Sequence, residues 1–172
     1  MIQDILIQSV IVAARVLAAM ALSAGALYCG MGLLDRLTAG VDEWKEIKKG
    51  NLAFGLLFAA VMLSIVLLVE PRITDLVTSL RADLPPVLVL ELLGLGIINY
   101  LACLFIATGL VFLTIHLIDR ITPDLDEMAE LKKGNLAVAL ILSVALVLVI
   151  FAVRAPVESA FRSLLSLESL LL

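Results

Sequence analysis

Among the polar side chains that interrupt the apolar stretches of this 172-residue chain, four could serve transport: Arg15, Glu91, Asn99 and His116. An ionisable group inside a membrane-spanning run is costly and by default marks an ion or substrate path, so the four outline a candidate polar track. Arg15 and Asn99 have a second reading as anchors at a membrane interface, with the arginine reaching headgroups along its flexible stem. Glu91 is a candidate partner for Arg15 if its helix tilts. His116 reads either as a proton relay or as a packed core histidine opposite the space left by Gly32. Other chemistry is scarce. Two cysteines and one histidine cannot assemble a zinc, haem or iron–sulfur site. Gly94-Leu95-Gly96 lacks the strand and the spacing of a phosphate-binding turn, and neither a catalytic triad nor H-E-x-x-H is present. The expectation is a protein that is not an enzyme and carries no cofactor or metal.

The elements that must position these groups follow from composition. The chain is 63% apolar and 16% charged with a mean hydropathy of +1.17, whereas a soluble domain has about 25% charged residues and about 45–50% apolar ones. Apolar runs cover residues 5–34, 52–69, 87–118 and 136–153. Roughly 20 residues cross a ~30 Å hydrocarbon core, and runs this continuous suit helices rather than alternating barrel strands. The fold expected is an all-α membrane protein with four transmembrane helices. Met1-Ile2-Gln3-Asp4 has no basic residue and the run after it is too long for a signal sequence, so the first run is expected to be a retained span. A net charge of −4 with no basic stripe makes nucleic acid an unsuitable partner.

Setting residue n against n+84 exposes an internal repeat. Residues 35–53 lie over residues 119–137 with 12 of 19 positions identical. The identity concentrates in polar elements: Asp35-Arg36 and Asp119-Arg120, then Lys48-Lys49-Gly50-Asn51 and Lys132-Lys133-Gly134-Asn135. The chain therefore divides into two units, residues 1–84 and 85–172, each with two spans. An even number of crossings makes the repeats parallel rather than inverted, so both polar loops face one side. Seven Lys and Arg lie in these loops against four on the opposite side, and all five lysines are among the seven. That bias points to cytoplasmic loops, outer termini and the inner membrane.

Each polar loop reads as a short amphipathic helix in the headgroup layer. Thr122-Pro123-Asp124 supplies a start for the second, Lys132-Lys133-Gly134 a stop, and Leu125, Met128 and Leu131 one apolar face. Val41, Trp44 and Ile47 match them in the first copy. Nine acids against seven bases in the loops favour a protein partner over lipid. On the outer side, Ile73, Leu76, Val77, Leu80 and Leu84, and then Val157, Phe161, Leu164 and Leu165, suggest further surface helices after Pro71 and Pro156. A seam of Ala14, Ala18, Ala21, Gly25, Cys29 and Gly32, matched by Ala102, Gly109 and His116, suggests tight packing between the first and third spans or between subunits. Cys29 and Cys103, ~15 Å apart in depth, read as small unbridged core residues.

With the repeat established, the chain resembles the bacterial membrane family called domain of unknown function 350. The resemblance rests on Glu46-Ile47-Lys48-Lys49-Gly50-Asn51-Leu52-Ala53 and Glu130-Leu131-Lys132-Lys133-Gly134-Asn135-Leu136-Ala137, each leading into an apolar helix. It implies a multi-pass inner-membrane protein of two tandem two-helix units, of unassigned activity, with no catalytic residues to carry over. Two functional expectations result. One is a self-associating, non-enzymatic scaffold in the bilayer that recruits cytoplasmic proteins through paired acidic helices. The other is a small channel or transporter using Arg15, Glu91, Asn99 and His116.

Overall fold

The computed structural model describes residues 2–38, 42–81, 83–123 and 125–171, with side chains for all of these except 2, 4, 43 and 164–171. Six helices run through them: α1 (Ile2–Leu37), α2 (Glu43–Lys48), α3 (Leu52–Thr78), α4 (Pro86–Ile121), α5 (Glu127–Lys132) and α6 (Leu136–Leu171). Helices α1, α3, α4 and α6 are long and apolar enough to cross a membrane, which fits a multi-pass membrane protein. The N-terminal boundaries of α3, α4 and α6 are written in the sequence. Asn51 caps α3, Asn135 occupies the equivalent place before α6, and Pro86 takes the first turn of α4, where its missing N–H costs no intrahelical bond.

Helix α3 is the centre of the bundle. It packs most extensively on α6 and then on α4 and α1. Its buried face carries Phe54, Leu57, Val61, Ile65 and Leu68 at steps of three and four. On α6 the corresponding face is Ala139, Leu142, Leu146 and Ile150, and on α4 it is Cys103, Ala107, Val111 and Ile115. Helix α1 meets α3 through Ala26, Gly30, Leu34 and Thr38, spaced by four. A Cβ on Gly30 would stand 2.9 Å from Met62 Sδ, so glycine permits the close approach.

Two expectations are corrected by this packing. The small-residue seam of α1 does not close onto α4. Tyr28, Cys29, Gly32, Phe105, Gly109 and Phe112 instead line a lateral groove of about 640 Å³. Cys29 is exposed there, whereas Cys103 is buried and its thiol donates to the Leu68 carbonyl at 3.4 Å; both are free. Large aromatic rings flank the small residues on α4, while the Ala26–Gly30 side of α1 offers α3 a flatter face. One polar tie crosses between α1 and α4, from the Tyr100 hydroxyl to the Leu22 carbonyl at 2.7 Å.

The second correction concerns the outer segments, which are continuations of α3 and α6 rather than separate helices; Pro71 and Pro156 lie inside them. An interior proline costs about 3 kcal/mol. Beyond Pro71 the helix buries Ile73 and Leu76, and covering each from water contributes about 1.5–3 kcal/mol, enough to carry the helix on. Phe161 does the same for α6. The Leu164 and Leu165 side chains lie outside the described set.

Candidate functional site

The repeated polar loops fold into two matching elbows, each a six-residue helix followed after three residues by a long one. Asp42 caps α2 by accepting from the Lys45 amide at 3.0 Å, and Asp126 caps α5 by accepting from the Ala129 amide at 2.9 Å. Thr122 is therefore not the start of α5. Its amide bonds back to Ile118 at the end of α4 and its hydroxyl donates to Glu127, because Asp126 is the capping side chain next to the helix. Val41 and Asp124 lie outside the described residues.

At the far end of α2 the Gly50 amide bonds to the Ile47 carbonyl at 2.9 Å and the Asn51 amide to the Glu46 carbonyl at 3.0 Å. The second copy repeats both, Gly134 to Leu131 and Asn135 to Glu130, each at 3.0 Å. These nested bonds form a Schellman stop, which needs a left-handed residue after the cap. Gly50 and Gly134 supply it with φ of +83° and +80°. The asparagine that follows starts the next helix. Asn51 Oδ1 accepts from the Ala53 and Phe54 amides at 3.1 and 3.5 Å, and Asn135 Oδ1 from Ala137 and Val138 at 3.1 and 3.4 Å.

Glutamates brace each elbow. Lys49 Nζ donates to Glu46 at 2.6 Å and Asn51 Nδ2 to the same carboxylate at 3.3 Å. Lys133 and Asn135 donate to Glu130 at 2.6 and 2.7 Å. The hydrogen bond from Lys49, then that from Asn51, holds Glu46 below the ordinary carboxylate value; for Glu130 the bond from Asn135 comes first and that from Lys133 second. Asn51 does one thing its copy does not: its Nδ2 also donates to the Leu131 carbonyl of α5 at 2.9 Å. The two elbows are thereby joined. Leu131 is fully buried, and Trp44 stacks edge-on against Phe58 with ring centroids 5.6 Å apart.

The remaining motif residues are exposed. Asp35, Arg36, Asp119, Arg120, Lys48 and Lys132 all face outward at this end. Glu46 and Glu130 head the repeated Glu-x-Lys-Lys-Gly-Asn-x-Ala junctions, but the sequence analysis gave them no role; the signal for their bracing is the repeated Glu-to-Lys spacing of three and Glu-to-Asn spacing of five.

The four groups of the candidate polar track are not brought together. Arg15 donates through Nε and Nη2 to the Leu80 carbonyl at 3.0 and 2.6 Å, tying α1 to the chain just after α3. A cation on that carbonyl suits an anchor. Glu91 is exposed and does not pair with Arg15, whose donors are directed at Leu80. His116 is exposed and stacks on Phe112, one turn earlier in α4, at 4.3 Å, so it is not a packed core residue. Asn99 lines a small cavity between α3 and α4 together with Arg72, Asp75, Ser79, Leu92, Leu95 and Gly96. Among the described residues no hydrogen bond or ion pair joins any two of the four.

The end of the bundle opposite the elbows holds two features that sequence reasoning missed. Arg72 is 3% exposed, lies 3.1 Å from Asp75 and stacks on the Phe161 ring at 5.3 Å. Glu70 and Arg154, at equivalent repeat positions, pair at 2.8 Å between α3 and α6. The opposite charges at n and n+84 were the available signal for the second. Burial of Arg72 had none.

A family model described as Domain of Unknown Function (DUF350) matches residues 4–98 and again residues 91–171. The chain belongs to this family. Its two matches are two DUF350 copies in tandem, as the repeated Glu-x-Lys-Lys-Gly-Asn-x-Ala junctions imply. The elbow geometry above is thus the geometry of the segment that the two DUF350 copies share most closely. No curated protein and no solved structure matches.

Proposed function

We propose that this DUF350 protein is a self-associating, non-enzymatic scaffold of the inner membrane that recruits a cytoplasmic protein through its joined elbows. The observation that carries the reading is the Asn51 carboxamide, which caps α3 and bonds across to α5 in one step. A polar side chain used twice in this way makes the two loops a single plate.

The topology behind this reading is two parallel copies with both elbows cytoplasmic and both termini outside. Contacts between repeat equivalents at two depths support it. Glu70 meets Arg154 at one end, and Asn51 meets Leu131, four residues before its own equivalent, at the other. The two contacts are separated along α3 by about 28 Å at 1.5 Å per residue. An axis in the membrane plane brings equivalents together at only one depth; an axis along the helices does so at both. The lysine bias of the elbows orients the pair. Self-association has its support in α1, whose first half exposes Ile5, Leu6, Val10, Leu17 and Met20, and in the groove beside α4.

Cysteines placed at Lys48 and Lys132 test the topology: both should be labelled from the cytoplasmic side alone, and labelling from opposite sides refutes it. Photo-crosslinkers at the same two positions in cells should yield adducts with soluble protein that disappear when Asn51 and Asn135 are both replaced by alanine while membrane levels hold. Adducts that persist, or Arg15-dependent ion flux in liposomes, would overturn the scaffold reading in favour of a channel. The separation of Arg15, Glu91, Asn99 and His116 is why transport ranks second.

A further inference from the structure

The cavity between α3 and α4 holds about 160 Å³, room for about five waters at ~30 Å³ each. Its wall is polar on one side, with Arg72, Asp75 and Ser79 from α3 and Asn99 from α4, and apolar on the other, with Leu92 and Leu95. The helices come close enough to form it because α4 has Gly96 there; a Cβ at that position would stand 2.4 Å from Leu76 Cδ1.

Arg72 is the unusual member. A guanidinium stays charged in any protein environment and offers five N–H donors. This one is 3% exposed, pairs with Asp75, has the Glu158 carboxylate of α6 within electrostatic reach and has an aromatic ring over it. Among the described residues no hydrogen-bond acceptor takes its donors beyond that one ion pair with Asp75. A buried cation so sparsely bonded calls for an oxyanion. Asp75 opposes a purely anionic guest. Its side chain is 59% exposed, lies within electrostatic reach of Arg162 as well as Arg72, and keeps an edge on which a further cation can sit from the solvent side.

Depth narrows the guest further. Arg72 lies 21 residues beyond Asn51, about 31 Å along α3, and Asn99 lies 22 residues before Ile121, about 33 Å along α4. Measured from the elbows, both stand one hydrocarbon thickness away, at the opposite headgroup layer. We infer that this cavity binds the headgroup of a zwitterionic phospholipid from that leaflet, with the phosphate on Arg72 and Asn99 and the ammonium on Asp75. The acyl chains stay in the bilayer, since the cavity is too small for them. The inference needs the chain to span the membrane but does not depend on what the elbows recruit.

The test uses the full chain purified in a mild detergent, with short-chain phosphatidylethanolamine, short-chain phosphatidylglycerol and inorganic phosphate as probes and the shift in unfolding temperature as readout. The ethanolamine lipid is expected to stabilise the protein more than the glycerol lipid, and inorganic phosphate not at all. Asn99→Leu removes one polar contact without touching the buried cation and should weaken ethanolamine-lipid binding about tenfold, the scale of one strong hydrogen bond. Asp75→Asn should reverse the order of the two lipids. Stabilisation by inorganic phosphate equal to that by lipid would make the cavity a soluble-anion site and overturn the proposal, as would a lipid order indifferent to Asp75→Asn or equal binding by Asn99→Leu. Arg72→Gln should abolish the shift; if it fails to fold, the other two variants decide.

Discussion

The two elbows are near copies, so the extra bond made by Asn51 should be measurable as a difference between two equivalent substitutions. Asn135→Ala removes the cap of α6 and the 2.7 Å bond to Glu130. Losing a helix cap costs about 1 kcal/mol, and a hydrogen bond to a charged group about 1.5 kcal/mol at the low end. Asn51→Ala removes the equivalent cap, a longer 3.3 Å bond to Glu46 and the 2.9 Å bond to the Leu131 carbonyl. That carbonyl still accepts from the Gly134 amide, so the added loss is that of a made bond, about 1 kcal/mol, rather than of an orphaned group. The longer Glu46 bond offsets part of it. Asn51→Ala should therefore be less stable than Asn135→Ala by about 0.5–1 kcal/mol, a factor of about two to five in the unfolding constant. Reversible unfolding in mixed micelles, or steric trapping in bilayers, reads this directly. Asn51→Asp keeps the cap but can donate neither to Leu131 nor to Glu46 and sets a second carboxylate beside Glu46, so it should be less stable than wild type. If it matched wild type, or if the two alanine variants were equal, the bond across the elbows would have no energetic role and the single-plate reading would fall.

Three further outcomes follow from the same geometry. Gly50→Ala and Gly134→Ala should each destabilise by about 1 kcal/mol, since both positions hold φ near +80° and a Cβ meets nothing at Gly50 and only an ordinary 3.8 Å contact with Asn51 Oδ1 at Gly134, so the cost is backbone; equal stability in the same unfolding assay would contradict the Schellman assignment. Glu46 and Glu130 are held below the ordinary 4.5 of a glutamate, so their contribution is complete above that pH and is lost as pH falls through their lowered folded values. The protection of the Ala53 and Ala137 amides, taken against the intrinsic exchange rate at each pH, should fall on acidification, and Glu46→Gln with Glu130→Gln should remove that dependence. Ser64 and Ser143 bury hydroxyls that have no hydrogen-bond partner among the described residues. Replacing either by alanine should be neutral or stabilising by up to about 1 kcal/mol, whereas a loss above that size would reveal a partner for the hydroxyl.

The four spanning helices were legible because lipid demands one simple property, apolar length, over about 20 residues. Three of their N-terminal ends were also legible, since Gly-Asn and Pro-Pro act through local backbone chemistry that any neighbours would leave unchanged. What escaped was set by partners distant in sequence. Pro71 looked like a stop, yet Ile73 and Leu76 find a bundle surface beyond it. The α1 seam looked like an interface, but Phe105 and Phe112 decide whether α4 can approach. Arg72 looked like an outer loop residue, and only the arrival of Phe161 from α6 and of Gly96 from α4 makes it a buried one.

Composition alone also leaves open how the elbow charges are arranged. The loops contain nine acids and seven bases, which suggests an acidic docking face. Five of those acids are engaged within the elbows: Asp42 and Asp126 cap helices, Glu46 and Glu130 hold lysine and asparagine, and Glu127 is buried beneath Thr122. The cations have no equivalent internal task except at Lys49 and Lys133. Arg36, Lys45, Lys48, Arg120 and Lys132 are exposed and form no ion pair among the described residues. A surface of this kind is less acidic than its composition. Any cytoplasmic partner therefore meets lysines interleaved with Asp35, Asp42, Asp119 and Asp126, and the same lysines can rest on anionic headgroups when no partner is bound. The elbow's acids shape the plate, and its bases face what lies beyond it.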